Sequence, residues 1–286
     1  MKSGTVAIRG PEVSAPFTAI LLAGDRPADA LARISPGQRK ALLVLQGRPM
    51  ILFVLDTLLA ARHVGNIVVV ANRIAEIERN AALQALVGKH AHGHRITFRE
   101  GAGSPATSVL KIIDESRFEG AVLVTTADNP LLSPATLDIF CAAVLKDSAD
   151  AAVGLARERD IRAAFPHAKR TYIRLKGEGY SGCNLFALTP GAGSKAARAW
   201  SEVESRRKKP WQLILHFGAW TLLRALCGRL DLDAALGAVS RSISLTVKAV
   251  VLDDPVAAMD VDREDHIAIA DRVLAARAGH AAPPPP

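Results

Sequence analysis

Gly120-Ala121-Val122-Leu123-Val124-Thr125-Thr126-Ala127-Asp128-Asn129-Pro130-Leu131-Leu132 is the stretch on which the reading of this chain turns. Ala121 to Val124 is a short apolar run, and the carboxylate of Asp128 follows it before a proline turn. A buried parallel strand that delivers an acid at its carboxyl end is a common way for α/β proteins to hold a metal-bound nucleotide. Ser133-Pro134 then caps and starts a helix, since a serine hydroxyl can accept a free N–H of the first turn and proline has none to satisfy. Strand, acid, turn and helix in that order make one unit of a parallel sheet.

The same alternation extends on both sides. Phe17 to Ala23 reads as a buried strand, and a loop rich in Gly, Pro, Asp and Arg follows as far as Lys40. Pro49 opens a helix to about Arg62, Asn66 to Ala71 is a β-branched strand, Arg73 to Val87 a helix, Arg95 to Arg99 a short strand and Pro105 to Arg117 a helix. Beyond the helix at Pro134, Ala149 to Leu155 returns as a strand. The second half is less regular, with strands at Thr171 to Leu175, Leu185 to Leu188 and Leu245 to Val251, helices between them, and a last helix from Arg263 to about Arg277. The pattern predicts an α/β fold with a mostly parallel, doubly wound sheet of about seven strands. We expect one domain over 17–278 with a helical insertion at about 193–242, a mobile start over 1–16, and a disordered Pro-rich tail over 279–286.

Of 286 residues, 49% are apolar, which is ample for a packed core without covalent staples. Cys141, Cys183 and Cys227 show no C-x-x-C spacing, so they point to a reducing compartment and to neither a disulfide framework nor a zinc site. Residues 1–16 carry Lys2, Arg9 and Glu12 with no continuous apolar core, unlike a signal peptide. The longest strongly apolar run, Trp211 to Leu223, is too short to span a bilayer, and a cytoplasmic protein is expected. A net charge of +8 and a pI near 9.7 point to anionic partners. Aromatic residues make up only 5%, and no aromatic-basic platform, zinc-finger or helix-turn-helix pattern occurs, which argues against nucleic acid and for phosphates on a small molecule.

Leu21-Leu22-Ala23-Gly24-Asp25-Arg26 sets a glycine directly after the first strand, where a bare backbone can approach a nucleotide and offer its N–H groups. Arg26 and Lys40 could then neutralise a triphosphate. Neither G-x-G-x-x-G nor a Walker G-K-S/T is present.

With Leu22-Ala23-Gly24, Arg39-Lys40-Ala41-Leu42-Leu43 and Gly47-Arg48-Pro49-Met50, the chain resembles the MobA-like nucleotidyltransferases, which include molybdenum-cofactor guanylyltransferase and relatives of the sugar- and alcohol-phosphate cytidylyltransferases. Val70-Ala71-Asn72-Arg73 resembles the family's second strand with its nucleotide-contacting asparagine. Asp128-Asn129-Pro130 resembles its D-x-P metal motif, and Asp260-Val261-Asp262-Arg263-Glu264-Asp265 its closing D-V-D-T-P-E-D. The likeness runs in order over roughly residues 17 to 275. It departs in the loop Asp25 to Gln38, which is longer and lacks a second glycine, in Arg39, which stands where proline usually precedes the lysine, and in Arg263-Glu264, which replaces Thr-Pro.

The resemblance implies transfer of a nucleoside monophosphate from GTP or CTP to a phosphorylated small-molecule or lipid-precursor acceptor, with release of pyrophosphate. It implies Mg²⁺ on Asp128 and Asp262, charge stabilisation by Lys40 and Arg26, a nucleotide cradle at Leu22, Ala23 and Gly24, a base or ribose contact at Asn72, and an acceptor-side contact at Asn184. Asp260 is the alternative ligand to Asp262. Read alone, Asp-Asn-Pro is also good turn chemistry, and Asp262 could cap the last helix with Asp265 in its first turn. Gly179-Tyr180-Ser181-Gly182-Cys183-Asn184 could equally be a turn with a small buried cysteine. His90-Ala91-His92-Gly93-His94 is read as a solvated loop, because no carboxylate or cysteine ligand lies beside it.

Arg206-Arg207-Lys208-Lys209-Pro210-Trp211 leads into Gln212 to Leu226, a helix apolar around most of its circumference. It must be covered by the protein body, by a second subunit in a homodimer, or by peripheral contact of 206–226 with the inner face of an anionic membrane. Binding to anionic vesicles at low salt separates the last case. Three other activities compete with the main reading. A GT-A-type glycosyltransferase is suggested by the D-x-D spelling of Asp260-Val261-Asp262, a non-catalytic nucleotide sensor by the altered glycine loop, and a membrane-peripheral scaffold by the apolar helix.

Overall fold

The computed structural model describes residues 17–25, 39–90, 96–116, 118, 120–206 and 229–279. Strands β1 (Phe17–Leu22), β4 (Val64–Ala71), β5 (Ile96–Glu100), β6 (Val122–Thr126), β7 (Ala151–Arg157), β9 (Glu178–Leu188) and β10 (Val247–Leu252) form a sheet in the order β10-β7-β9-β6-β1-β4-β5. A short strand, β8 (Ile173–Leu175), pairs outside that path with β9, and β2 (Val44–Leu45) and β3 (Arg48–Pro49) make a separate two-stranded ribbon. Pairs β1/β4, β1/β6, β4/β5 and β7/β10 are parallel. Only β9, wedged between β6 and β7 in the main path, runs antiparallel to both neighbours. The sheet is therefore mostly parallel, as expected, with its one reversed main strand in the less regular half.

Both faces of the sheet are covered, which is why its central strands read as unbroken apolar runs. Successive residues of β1 point to opposite sides. Ala19 and Leu21 join a cluster with Met50, Leu55, Phe140 and Ala270, whereas Ile20 joins Val109, Ile112 and Ala197. The first cluster is closed by helices α1 (Met50–Ala60), α2 (Ile74–Glu78), α3 (Ala81–Lys89), α5 (Pro134–Lys146), α6 (Glu158–Ala164) and α9 (Glu264–Arg277). The second is closed by α4 (Pro105–Ser116) and α7 (Gly193–Arg206), with Phe186 stacked on Trp200 at 5.0 Å. Helix α8 (Leu232–Ile243) begins at Asp231, whose carboxylate accepts the Ala234 N–H.

Two local readings change. The helix expected over 73–87 is two helices, because Asn80 stops one and caps the next by accepting the N–H groups of Ala82 and Leu83. The segment Gly179–Asn184, expected to precede a strand, lies inside the eleven-residue β9. There the register with β7 slips between Val153 and Leu155, so Gly154 alone faces Cys183, Asn184 and Leu185. Such a bulge re-aims a side chain, and Asn184 adopts a left-handed φ of 51° at it. A Cβ on Gly154 would stand 3.0 Å from that of Leu185, closer than side chains ordinarily pack, so glycine relieves the crowding at the bulge.

The expectations for residues 1–16, for the apolar helix over 211–226, for His92 and His94 and for the tail beyond 279 lie outside the described residues. Among the described residues no helix is long and apolar enough to cross a membrane.

Candidate active site

Parallel strands in register bring their carboxyl ends to one rim. Leu22 pairs with both Val70 and Thr126, so the residues just beyond β1, β4 and β6 are neighbours in space. Backbone bonds extend the match, from the Ala23 N–H to the Val70 carbonyl and from the Ala127 N–H to the Leu22 carbonyl, each 2.8 Å. Gly24 thereby faces Asn72, whose side-chain oxygen would be 3.4 Å from a Cβ at that position. The same oxygen accepts the Asp25 N–H at 3.4 Å.

Asp25 closes the loop that leaves β1. Its carboxylate accepts the Arg39 guanidinium at 2.6 Å and the Lys40 backbone N–H at 2.9 Å. Arg39 also donates to the Asn72 carbonyl and lies 3.1 Å from the Glu76 carboxylate, while its side chain is only 4% exposed. A planar guanidinium with several fixed donors suits a post that ties three segments together. The residue that departs from the family pattern is thus a buried brace between the first loop, the end of β4 and α2.

Lys40 follows in the 3-10 turn Lys40–Leu42 and points across the rim. Its ammonium donates to Asp128 at 2.6 Å and to Asp262. Burial opposes its charge, but the two carboxylates outweigh that effect and hold its pKa above the usual lysine value.

Asp128, Asp260 and Asp262 converge, with one oxygen of each within 4.8 Å of the others. At an effective dielectric near 20, two like charges at that spacing repel by about 3 kcal/mol, so the cluster needs cations. Tertiary hydrogen bonds assemble it. The Val261 N–H donates to the Asp128 carbonyl at 2.7 Å, which seats the closing loop on the end of β6. Buried Asn129 donates to the Cys183 carbonyl at 3.0 Å and the Ala257 carbonyl at 2.9 Å, tying β6 to β9 and to the 3-10 turn Pro255–Ala258. Asp128 takes a further hydrogen bond from the Thr126 hydroxyl.

The three acids differ in how they are engaged. Asp260 is nearly buried, with one oxygen paired to Arg170 and the other accepting Asn184 at 3.3 Å. His266 Nδ1 lies 2.7 Å from the Asp260 carbonyl, and burial lowers the pKa of that ring. Asp128 and Asp262, by contrast, share Lys40 and keep 20% and 49% of their side-chain surface exposed. These two are the carboxylates open to a ligand.

Of the residues singled out from sequence, Gly24, Asn72, Lys40, Asp128, Asp262 and Asn184 meet at this rim, and Leu22 and Ala23 form the strand end beneath it. Arg26 lies outside the described residues. Asp260 joins Asp262 in the cluster instead of replacing it. Sequence reasoning passed over Asp25, Asn129 and Arg170. The first two are adjacent to recognised motif residues and were within reach, whereas Arg170 sits before β8 with no signal around it.

Comparison with known proteins agrees with this architecture. Residues 19–239 match the family model of the MobA-like NTP transferase domain. A hypothetical transferase from Thermus thermophilus superposes with a TM-score of 0.72 at 28% identity, covering 88% of this chain and 99% of its own. The CMP:2-keto-3-deoxy-manno-octonic acid synthetase complexed with CTP gives a TM-score of 0.56 at 13% identity, over 92% of this chain and 100% of the other. The 4-diphosphocytidyl-2C-methyl-D-erythritol synthase from Anaerococcus prevotii gives 0.54 at 13% identity, over 91% and 99%. At 13% identity the likeness speaks for the fold alone. Comparison with curated proteins finds no match.

Proposed function

Because the chain belongs to the MobA-like NTP transferase domain family and is a nucleotidyltransferase by that membership, we propose that it moves a nucleoside monophosphate from GTP or CTP to a phosphorylated acceptor and releases pyrophosphate. The observation that carries this reading is the meeting of Asp128 and Asp262, remote in sequence, on a single ammonium at the rim where β1, β4 and β6 end.

The donor set fits Mg²⁺. It is hard oxygen, it supplies the one or two carboxylates such an ion usually takes, and a cation, the Lys40 ammonium, already lies between the two acids. Asp128 and Asp262 would hold the ion, with Asp260 held behind them by Arg170 and Asn184. Bound there, the ion would neutralise triphosphate charge. Gly24 leaves room for the nucleotide against the backbone, and Asn72, braced by Arg39, would contact base or ribose. Lys40 and Arg26 would stabilise charge moving toward pyrophosphate. An acceptor phosphate oxygen forms a bond to the α-phosphorus as the bond to the β-phosphate oxygen breaks in line opposite it, and the electron pair leaves with pyrophosphate. A dedicated general base is unnecessary, since a phosphate monoester, with a second pKa of about 6, is already anionic near neutral pH. Positioning and charge neutralisation carry the reaction.

The test is thermal stabilisation by GTP, CTP, ATP and UTP with Mg²⁺, followed by pyrophosphate release over phosphorylated sugars, polyols and pterins. Stabilisation by one nucleotide and pyrophosphate formed only with an acceptor are expected. Consumption of a sugar nucleotide without pyrophosphate would replace this reading with a glycosyltransferase.

A further inference from the structure

Lys40 stands in the position that the reading above gives to a divalent cation. Its ammonium bridges Asp128 and Asp262, the two acids of the cluster that remain partly exposed, and its side chain is only 10% exposed. Asp260 is already engaged, with Arg170 on one oxygen and Asn184 on the other, so the contest centres on Asp128 and Asp262. The base of Lys40 is fixed by the bond from its backbone N–H to Asp25, while four methylenes separate that anchor from the ammonium. The head group can therefore change partners without moving the turn that carries it.

We infer that Lys40 is the resident counter-ion of this site when no nucleotide is bound, that it competes with a divalent cation for Asp128 and Asp262, and that a triphosphate ends the competition by offering Lys40 phosphate oxygens instead. This rests on the nucleotidyltransferase reading and adds an order of binding to it. A free cation must break the Lys40 ion pairs with Asp128 and Asp262 to enter, so it binds weakly. A cation arriving with a nucleotide brings the replacement partner for Lys40 with it. Metal and nucleotide affinities are then positively coupled through one side chain, and by linkage each raises the other. The site stays shut to loose metal ions and opens to the loaded substrate.

The experiment is Mn²⁺ binding to the full chain without nucleotide, followed by the electron paramagnetic resonance signal of free Mn²⁺. Lys40→Met removes the competing charge and is expected to bind Mn²⁺ at least tenfold more tightly than the unaltered protein. Lys40→Gln, a second charge-free variant, is expected to do the same, and Lys40→Arg to behave like the unaltered protein. A non-hydrolysable analogue of whichever nucleotide stabilises the protein should raise Mn²⁺ affinity more in the unaltered chain than in Lys40→Met. Equal or weaker Mn²⁺ binding by both charge-free variants overturns the inference. Adding Asp128→Asn and Asp262→Asn to Lys40→Met separates it from its premise. If these changes abolish Mn²⁺ binding, the metal site stands and only the Lys40 comparison judges the competition. If tight binding persists, the metal assignment itself fails and the inference with it.

Discussion

Asn129 is expected to be the residue whose loss most directly links stability to the site. Its side-chain nitrogen donates to two carbonyls, those of Cys183 and Ala257, and the residue is 1% exposed, so these carbonyls have no contact with bulk water. Each such bond contributes on the order of 1 kcal/mol net, and each carbonyl left without a partner in a buried setting costs about 1 to 3 kcal/mol. The amide oxygen has no protein partner among the described residues, so removing it returns part of that loss. Asn129→Ala should therefore destabilise by roughly 2 to 4 kcal/mol. For a chain of this size that is on the order of 5 to 15 °C in Tm. The assay is urea unfolding, where the midpoint should fall with an unchanged slope, because the same surface is exposed on unfolding. Asn129→Asp should be worse, since it sets a carboxylate against two carbonyl oxygens. Both variants should also lose at least tenfold in kcat, because the bonds they break hold β9 and the Pro255–Ala258 turn around Asp128. An Asn129→Ala protein within about 0.5 kcal/mol of the original would refute the idea that this amide assembles the site.

Other outcomes follow from the same geometry. Asp128→Ala should abolish pyrophosphate release while leaving the circular dichroism spectrum unchanged, and retention of most activity would remove it from the metal site. Lys40→Ala should lose about 2 to 4 kcal/mol of transition-state stabilisation, the range for a missing electrostatic donor, read from kcat/KM. Glu100 is held below the ordinary carboxylate value of 4.5 chiefly by the N–H groups of Ile74 and Arg73. A depressed folded pKa stabilises above the unfolded value and ceases to do so as pH falls through the folded one. The urea midpoints of the original and Glu100→Gln should thus differ at pH 7 and draw together as pH falls from 4.5 through the lower folded value, whereas a constant gap would exclude the charge as the cause. Burial pushes the Cys141 and Cys183 thiols up to about 12. Both should resist iodoacetamide at pH 8 until the protein is unfolded, as read by peptide mass spectrometry.

Much of the fold was legible because its signals are local. The apolar run before Asp128, the Ser133-Pro134 cap and the β-branched strand ending at Ala71 each report their own backbone, and the structure places strands and helices there. The helix break at Asn80 was missed for a related reason: apolar periodicity runs on through it, and only the cap chemistry of the asparagine marks the stop.

From the sequence alone came the α/β class, the family membership and the identity of most residues at the rim, since each depends on short motifs in a fixed order. Tertiary structure decided what those residues do to one another. The reversal of β9 is invisible to an apolar pattern, because its alternation of buried and half-buried residues reads the same in either direction. The bulge opposite Gly154 aims Asn184 at Asp260, although strand alternation gives no hint of it. The partners of Arg39, Lys40 and Arg170 lie far away in the chain, and attraction between charges depends on distance in space, which only the folded backbone sets.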